Sequence, residues 1–300
     1  MSSPSLTLGT RQHRMLMGVR CEVSVVGGNV FALAEEGLQM VADLEQLWSR
    51  FIPTSDLCRM NRANGEPTWV DQRTITLVAH MMEAHTATKG VYNPTLLPFL
   101  LEQGDTKSLI DDKLSTAPIN AHAFNYLDDI VIRADNSVQL PDGMTLDAGG
   151  IGKGLAADIV AEHIISRGAE SVCVNLGGDI RVARTPHSQH DWPVHIMSPS
   201  NEDEDVCTIS LGEGAIATSH INARHRTNAG IAQHIASIDH TTPPAVAASV
   251  ISSSCAWSEA WTKYAILRDI NLIEDNGLAA FTIDADGTTS CTATWKNFVR

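Results

Sequence analysis

Asp147, Lys153 and Asp158 fall within a thirteen-residue run, LDAGGIGKGLAAD (Leu146 to Asp158), that also holds four glycines. Carboxylates offer acceptors and the lysine offers a full positive charge. Glycines ahead of a helix let bare backbone N–H groups approach an anion at the helix N-terminus. One reading is a phosphate cradle. The other is a tight strand-to-helix turn with Lys153 in solvent. Two phosphate motifs fail by counting. The P-loop needs G-x-x-x-x-G-K-[ST]; Gly152-Lys153 supplies the GK, but Gly154 follows it and Asp147 stands at the first glycine position. The dinucleotide fingerprint G-x-G-x-x-G takes Gly150 and Gly152, then meets Leu155. A second glycine turn, NLGGDIRV, carries Asn175, Asp179 and Arg181 and by itself reads as a strand connection. Near the end of the chain, SEAWTKYA sets Glu259 and Lys263 four residues apart, the spacing of an exposed helical ion pair of about 0.2–0.5 kcal/mol.

A cradle of this kind needs a helix behind it. Gly154 to Gly168 reads as one, with Ala156, Ile159, Val160 and Ile164 inward. Two more amphipathic helices are expected in VFALAEEGLQMVADLEQLWSRF and TITLVAHMMEAHTATKG, the latter stopped by Gly90. SCAWSEAWTKYAILRDI reads as the closing helix, and LAAFTIDADGTTSCTATW as a hairpin around Asp286-Gly287. CEVSVVGGN, SVCVNLGGDIRVAR, HDWPVHIMSP and CTISLGEGAIATS read as strands; VYNPTLLPFLLEQGD reads as a loop stiffened by Pro94 and Pro98. Helices and strands come in groups, so an α+β fold with mixed or antiparallel sheets flanked by helices is expected. We expect an N-terminal tail over residues 1–14 and a single compact unit over 15–300.

The chain has 21 Lys+Arg against 35 Asp+Glu, a net charge of −14. This argues against nucleic acid or an anionic membrane as partner. An anionic small ligand then requires a local cluster of donors. The six cysteines form no C-x-x-C pair, which disfavours zinc or iron–sulfur sites. With no apolar run of spanning or signal length, a cytoplasmic location is expected.

Taken in order, LMGVRCEVSV, LWSRFIPTSDLCRMNRANG, TKGVYNPTLLPFL, LDAGGIGKGLAAD, VNLGGDIRV and AIATS, followed by a His/Asp loop and a final helix, resemble the FAD:protein FMN transferases, the ApbE-type or thiamine-biosynthesis lipoprotein family. The resemblance covers roughly residues 15 to 290. It implies FAD in a cleft, cleavage of the FAD pyrophosphate with release of AMP, and transfer of FMN to a Thr or Ser hydroxyl of a flavin-acceptor protein, with Mg²⁺. By the same resemblance, Met17 and Phe51 lie against the ligand, and Val91, Tyr92 and Asn93 match a Gly-x-Phe-Asp-Pro-Thr segment with Asn93 in place of the aspartate. Asp147 accepts hydrogen bonds from the ligand and Lys153 neutralises phosphate. Gly150 offers its carbonyl to the metal.

The chain departs from the family in its final helix. The family pattern Ala-Asp-Ala-x-x-Thr-Ala holds Mg²⁺ through the Asp and the Thr; here Glu259 and Lys263 stand in those places. An ammonium has donors only and coordinates no cation. Either Lys263 takes the metal's place and contacts the pyrophosphate, or Thr262 joins Glu259 as a metal ligand, or the two charged residues are a surface pair. The loop QHIASIDHTTPP departs from His-x-Ile-Asp-Pro-x-Thr-Gly; His234 and His240 both have the type to accept the acceptor's proton, and His234 is taken as the base. The activities that follow are FMN transfer, FAD binding without transfer, or FAD hydrolysis to FMN and AMP.

Overall fold

A computed structural model describes residues 9–199, 201–221, 226–227, 230–231 and 243–299. Apolar alternation over β2 (Val19–Val26) buries Val23 and Val25 completely. Its antiparallel partner is β1 (Gly9–Leu16). Residues 9–14, read above as tail, therefore belong to a sheet. Next come α1 (Val30–Trp48), α2 (Asp56–Asn61), β3 (Thr68–Trp69), α3 (Gln72–Ala87) and α4 (Leu97–Glu102). α4 lies where a loop was expected. Pro98 sits in its first turn, where the missing N–H breaks no intrahelical bond.

The short strands β4 (Val131–Ile132) and β5 (Ser137–Gln139) precede α5 (Gly152–Ser166), β6 (Ser171–Leu176) and β7 (Asp179–Arg184). β8 (Trp192–Ser198) and β9 (Asn201–Leu211) pair as a hairpin. The chain continues through β10 (Gly214–His220), β11 (Arg226–Thr227), β12 (Gly230–Ile231), β13 (Ala247–Ser252) and α6 (Cys255–Leu267). α7 (Asn271–Asp275), β14 (Ala279–Ile283), β15 (Thr289–Cys291) and a short 3-10 helix (Ala293–Asn297) follow. The last two strands form the hairpin expected around Asp286-Gly287, while Ala293 to Trp295, read as part of it, lie in the 3-10 helix.

Eight strands form one sheet in the order β1-β2-β6-β7-β10-β13-β14-β15, with every neighbouring pair antiparallel. Its two faces are covered differently. Ile180, Val182, Ile216 and Ile251 pack with Val194, Ile196, Ile209 and Leu211 of the β8–β9 hairpin. Ala183 and Ala215 pack on the opposite side, in the cluster that contains Leu38, Val41, Val160 and Ala260 of α1, α5 and α6. Side chains alternate along a strand, so this split places Asp179 and Ser219 on the helix-covered side. Both contact helices there, Asp179 at Lys153 and Ser219 at Thr262.

α5 and α6 are held together at their N-terminal ends. Asp158 accepts from the Cys255 N–H at 2.8 Å, the Ala256 N–H at 2.9 Å and the Ser254 hydroxyl at 2.8 Å. Its carboxylate thus satisfies two of the four donors that open any helix. Arg181 stands 3.3 Å away. The second aspartate of the glycine run is therefore a cap on a neighbouring helix, and it fixes which face of α6 meets α5.

Candidate functional site

A cavity of about 320 Å³ opens where the glycine run meets α6. Met17, Phe51, Asp147, Gly150, Lys153, Glu259 and Lys263 all line it. These seven span nearly the whole sequence, and the fold brings them to one place.

Each wall has a local cause. Met17 opens the β1–β2 turn at φ +51° and donates its N–H to Glu45 at 2.7 Å. Burial pushes the Glu45 carboxyl up, and the Met17 N–H opposes that shift. Phe51 lies under the Arg50 guanidinium, 4.8 Å from ring centroid to Cζ, which suits a cation–π contact. Arg50 also reaches Asp105 at 2.7 Å and Asp147 at 3.7 Å. Asp147 is anchored by its own N–H, which donates to Pro94 O at 2.8 Å.

Val91, Tyr92 and Asn93 do not line the cavity. Val91 packs beside α6. Tyr92 is buried, and its ring lies close behind Gly150. Asn93 builds a turn: its Oδ1 accepts from the Thr95 N–H at 2.9 Å and the Thr95 hydroxyl at 2.7 Å, while its Nδ2 donates to Phe124 O at 2.8 Å. An aspartate has no donor for that last bond. Asn93 thus holds the Pro94 carbonyl that positions Asp147, one step behind the cavity wall. All three were expected at the ligand; the fold sets them behind or beside this cavity rather than on its wall.

Lys153 was expected to face phosphate. It lines the cavity, and its ammonium sits between two carboxylates, in contact with Asp179 and 2.5 Å from Glu259. Burial alone lowers a lysine's pKa; here Asp179 and Glu259 outweigh it and hold Lys153 above its ordinary value. The other Glu259 oxygen accepts from the Gly154 N–H at 2.7 Å. Burial raises the Glu259 carboxyl, but Lys153 and Lys263 overcome this and leave it lowered. Asp179 moves the other way, to about 6, through burial and then the Glu259 charge. Lys153 thus ties α5 to β7 and α6.

Lys263 does not pair with the Glu259 carboxylate as the i, i+4 spacing suggests. Its Nζ donates to Glu259 O at 3.0 Å, Ser219 Oγ at 3.1 Å and Thr262 Oγ1 at 3.3 Å. Thr262 is fully buried; its hydroxyl lies 2.8 Å from Ser219 Oγ and donates to Glu259 O at 2.7 Å. This bears on Mg²⁺, for which Gly150, Glu259 and Thr262 were the expected ligands. The Glu259 carboxylate is consumed by Lys153 and Gly154, and a cation already holds the oxygens beside Thr262. Among the described residues no group of three or more His, Cys, Asp or Glu could hold a metal. The residues present do not fit a resident Mg²⁺.

Asp179, Arg50, Glu45 and Ser219 are cavity residues that sequence reasoning did not single out as sites. Asp179 and Ser219 carried a weak signal, as polar residues at the ends of apolar strands. Arg50 and Glu45 carried none. His234 and His240 lie outside the described residues. His220, at the end of β10, lines the cavity.

The Asp179 shift has a measurable sign. Its ordinary value is 3.8 and its folded value is about 6. Between the two, the folded state holds a proton that the unfolded state has lost. The group's contribution to stability is therefore full below about 4 and falls as pH rises to about 6, by up to about 1.4 kcal/mol per pH unit. Asp179→Asn is expected to remove this decline. Urea unfolding of both proteins across that range checks it, and parallel profiles would refute the assignment.

The fold and the cavity define an α+β protein whose cleft joins a helix N-terminus to the charged face of a second helix. The ApbE family model matches residues 17–282. The chain belongs to the ApbE family. It is similar to the FAD:protein FMN transferase of Vibrio cholerae serotype O1 (strain ATCC 39541 / Classical Ogawa 395 / O395), 27% identical over 186 residues. That match covers 60% of this chain and 55% of the relative, so the chain spans little more than half of that protein's length. The FAD:protein FMN transferase of Treponema pallidum (strain Nichols) is 24% identical over 241 residues, 73% of this chain and 67% of that protein. Among solved structures, the ApbE protein of Thermotoga maritima superposes with TM-score 0.85 at 20% identity, covering 98% of this chain and all of that one. The flavin transferase ApbE of Vibrio cholerae gives 0.79 at 20% identity, over 97% and 99%. At this identity the structures bear on the fold alone, and they agree with the α+β architecture described here. No helix among the described residues is long and apolar enough to cross a membrane.

Proposed function

We propose that this chain is a FAD:protein FMN transferase, acting on FAD and a flavin-acceptor protein. The observation that carries the reading is the single cavity in which Met17, Phe51, Asp147, Gly150 and Lys263 converge. A flat aromatic wall backed by a guanidinium suits a ring system. Asp147 supplies acceptors for hydroxyl or amine groups, and the Lys263 ammonium supplies charge for a diphosphate. A hydroxyl oxygen of the acceptor attacks the FMN-side phosphorus. The bond from that phosphorus to the bridging oxygen breaks, and AMP leaves with the bridging oxygen. Charge on the transferring group is met by Lys263. The hydroxyl proton passes to a histidine, which we assign to His234.

Six free cysteines, none in a disulfide, support a reducing, cytoplasmic setting. The test is incubation of the purified chain with FAD and a candidate acceptor, followed by mass spectrometry of the acceptor and chromatography of the nucleotides. The expected result is equimolar AMP and FMN-bearing acceptor. AMP with free FMN would instead mark a hydrolase, and FAD retained intact would mark a binding protein.

A further inference from the structure

We infer that the Lys263 ammonium stands where a divalent cation would grip the diphosphate, so that this chain binds FAD without metal. The inference rests on the FAD reading above.

Three observations carry it. First, the ammonium donates to a carbonyl and two hydroxyl oxygens, those of Glu259, Ser219 and Thr262. Hard neutral oxygens of this kind serve Mg²⁺ and ammonium alike, but not both at once. Second, the charged ligand such a metal would need is turned away. Both Glu259 oxygens are engaged, one by Lys153 and one by the Gly154 N–H. Third, the backbone makes room for this lysine. A Cβ on Gly150 would lie 3.1 Å from Lys263 Cε and 3.2 Å from the Tyr92 ring. Gly150 also has φ +89°, a conformation side chains rarely adopt. The lysine stem thus runs between the glycine turn and α6 and delivers its charge to the cavity wall.

The two lysines divide the labour. The Lys153 charge is shared by Asp179 and Glu259 and ties the elements together. The Lys263 ammonium donates to Glu259 O, Ser219 Oγ and Thr262 Oγ1 at the cavity surface, where a ligand's phosphate oxygen can join or replace the 3.3 Å contact to Thr262.

The test is FAD titration of the full chain by flavin fluorescence, in EDTA and in excess Mg²⁺. Affinities in the two buffers are expected to agree within about twofold. Lys263→Met is expected to weaken binding about tenfold or more in both, the loss of one charge-assisted hydrogen bond. Loss of affinity in EDTA that Mg²⁺ restores would overturn the inference and leave the FAD reading intact. So would Lys263→Met binding FAD as tightly as the unaltered chain. A chain that binds FAD in neither buffer would overturn the FAD reading, and this inference with it.

Discussion

Gly154→Ala is expected to destabilise the protein by about 2 kcal/mol and to weaken FAD binding, although alanine is the better helix former. Propensity alone favours alanine by about 1 kcal/mol inside a helix. The surroundings decide otherwise. A Cβ at this position would lie 2.4 Å from Cys255 O, 2.5 Å from Cys255 C and 2.7 Å from Ala256 N. All three are backbone atoms of the α6 start, and none can rotate away. Relief requires α5 and α6 to separate, and overpacking of this kind costs about 1–3 kcal/mol or more. Separation also lengthens the Gly154 N–H bond to Glu259 and disturbs the Asp158 cap on α6. Urea unfolding measures the first effect and FAD titration the second. An alanine variant as stable as the unaltered chain would mean that the helices are not in contact here.

The same glycine shows what the sequence does and does not disclose. The run LDAGGIGKGLAAD marks a strand-free turn into a helix, and α5 begins at Gly152, two residues before the expected start. Its glycines read as openings for a ligand. Gly154 is instead an opening for another helix, and only the position of α6 reveals that. α1 and α3 were legible because their apolar residues recur at three and four. α4 was not, because two prolines in a short stretch resemble a loop when no partner is visible. β1 was missed because its residues GTRQHRML are only half buried, so the apolar alternation that marked β2 is weak.

The site divides along similar lines. Met17, Phe51, Asp147, Gly150, Lys153, Glu259 and Lys263 were expected at the ligand, and they share a cavity. Their partners were not legible. Lys153 and Glu259 are 106 residues apart in the chain, and local spacing carries no information about such a pair. The spacing of Glu259 and Lys263 pointed to a surface ion pair. Glu259 is in fact 1% exposed, and its carboxylate turns to Lys153. Asn93, aligned with a binding segment, has its side chain engaged in the turn at Thr95 and Phe124, which the alignment did not disclose.

Lys153→Met is the sharpest test of the role given to that lysine. It leaves the carboxylates of Asp179 and Glu259, only 3% and 1% exposed, without the cation that joins them. Removing one partner from a buried ion pair costs about 3–5 kcal/mol, since the remaining charge is stranded. We expect a loss of that size at pH 8. The loss should shrink at acid pH. Asp179 already lies at about 6 with Lys153 present, and without the ammonium it rises further. A carboxyl with a raised folded pKa contributes its stability at low pH and loses it as pH climbs through the folded value. The variant should therefore recover between pH 8 and pH 5, as Asp179 takes up its proton. Lys153→Met/Asp179→Asn should recover part of the stability at pH 8, because one of the two stranded charges is gone. A lysine that merely faced phosphate from solvent would give a different pattern. Its loss would move stability by no more than about 0.5 kcal/mol, at any pH, while FAD affinity fell. Chemical denaturation of the three proteins at both pH values separates the two roles. Strong destabilisation relieved by the second substitution identifies Lys153 as the tie between α5, β7 and α6.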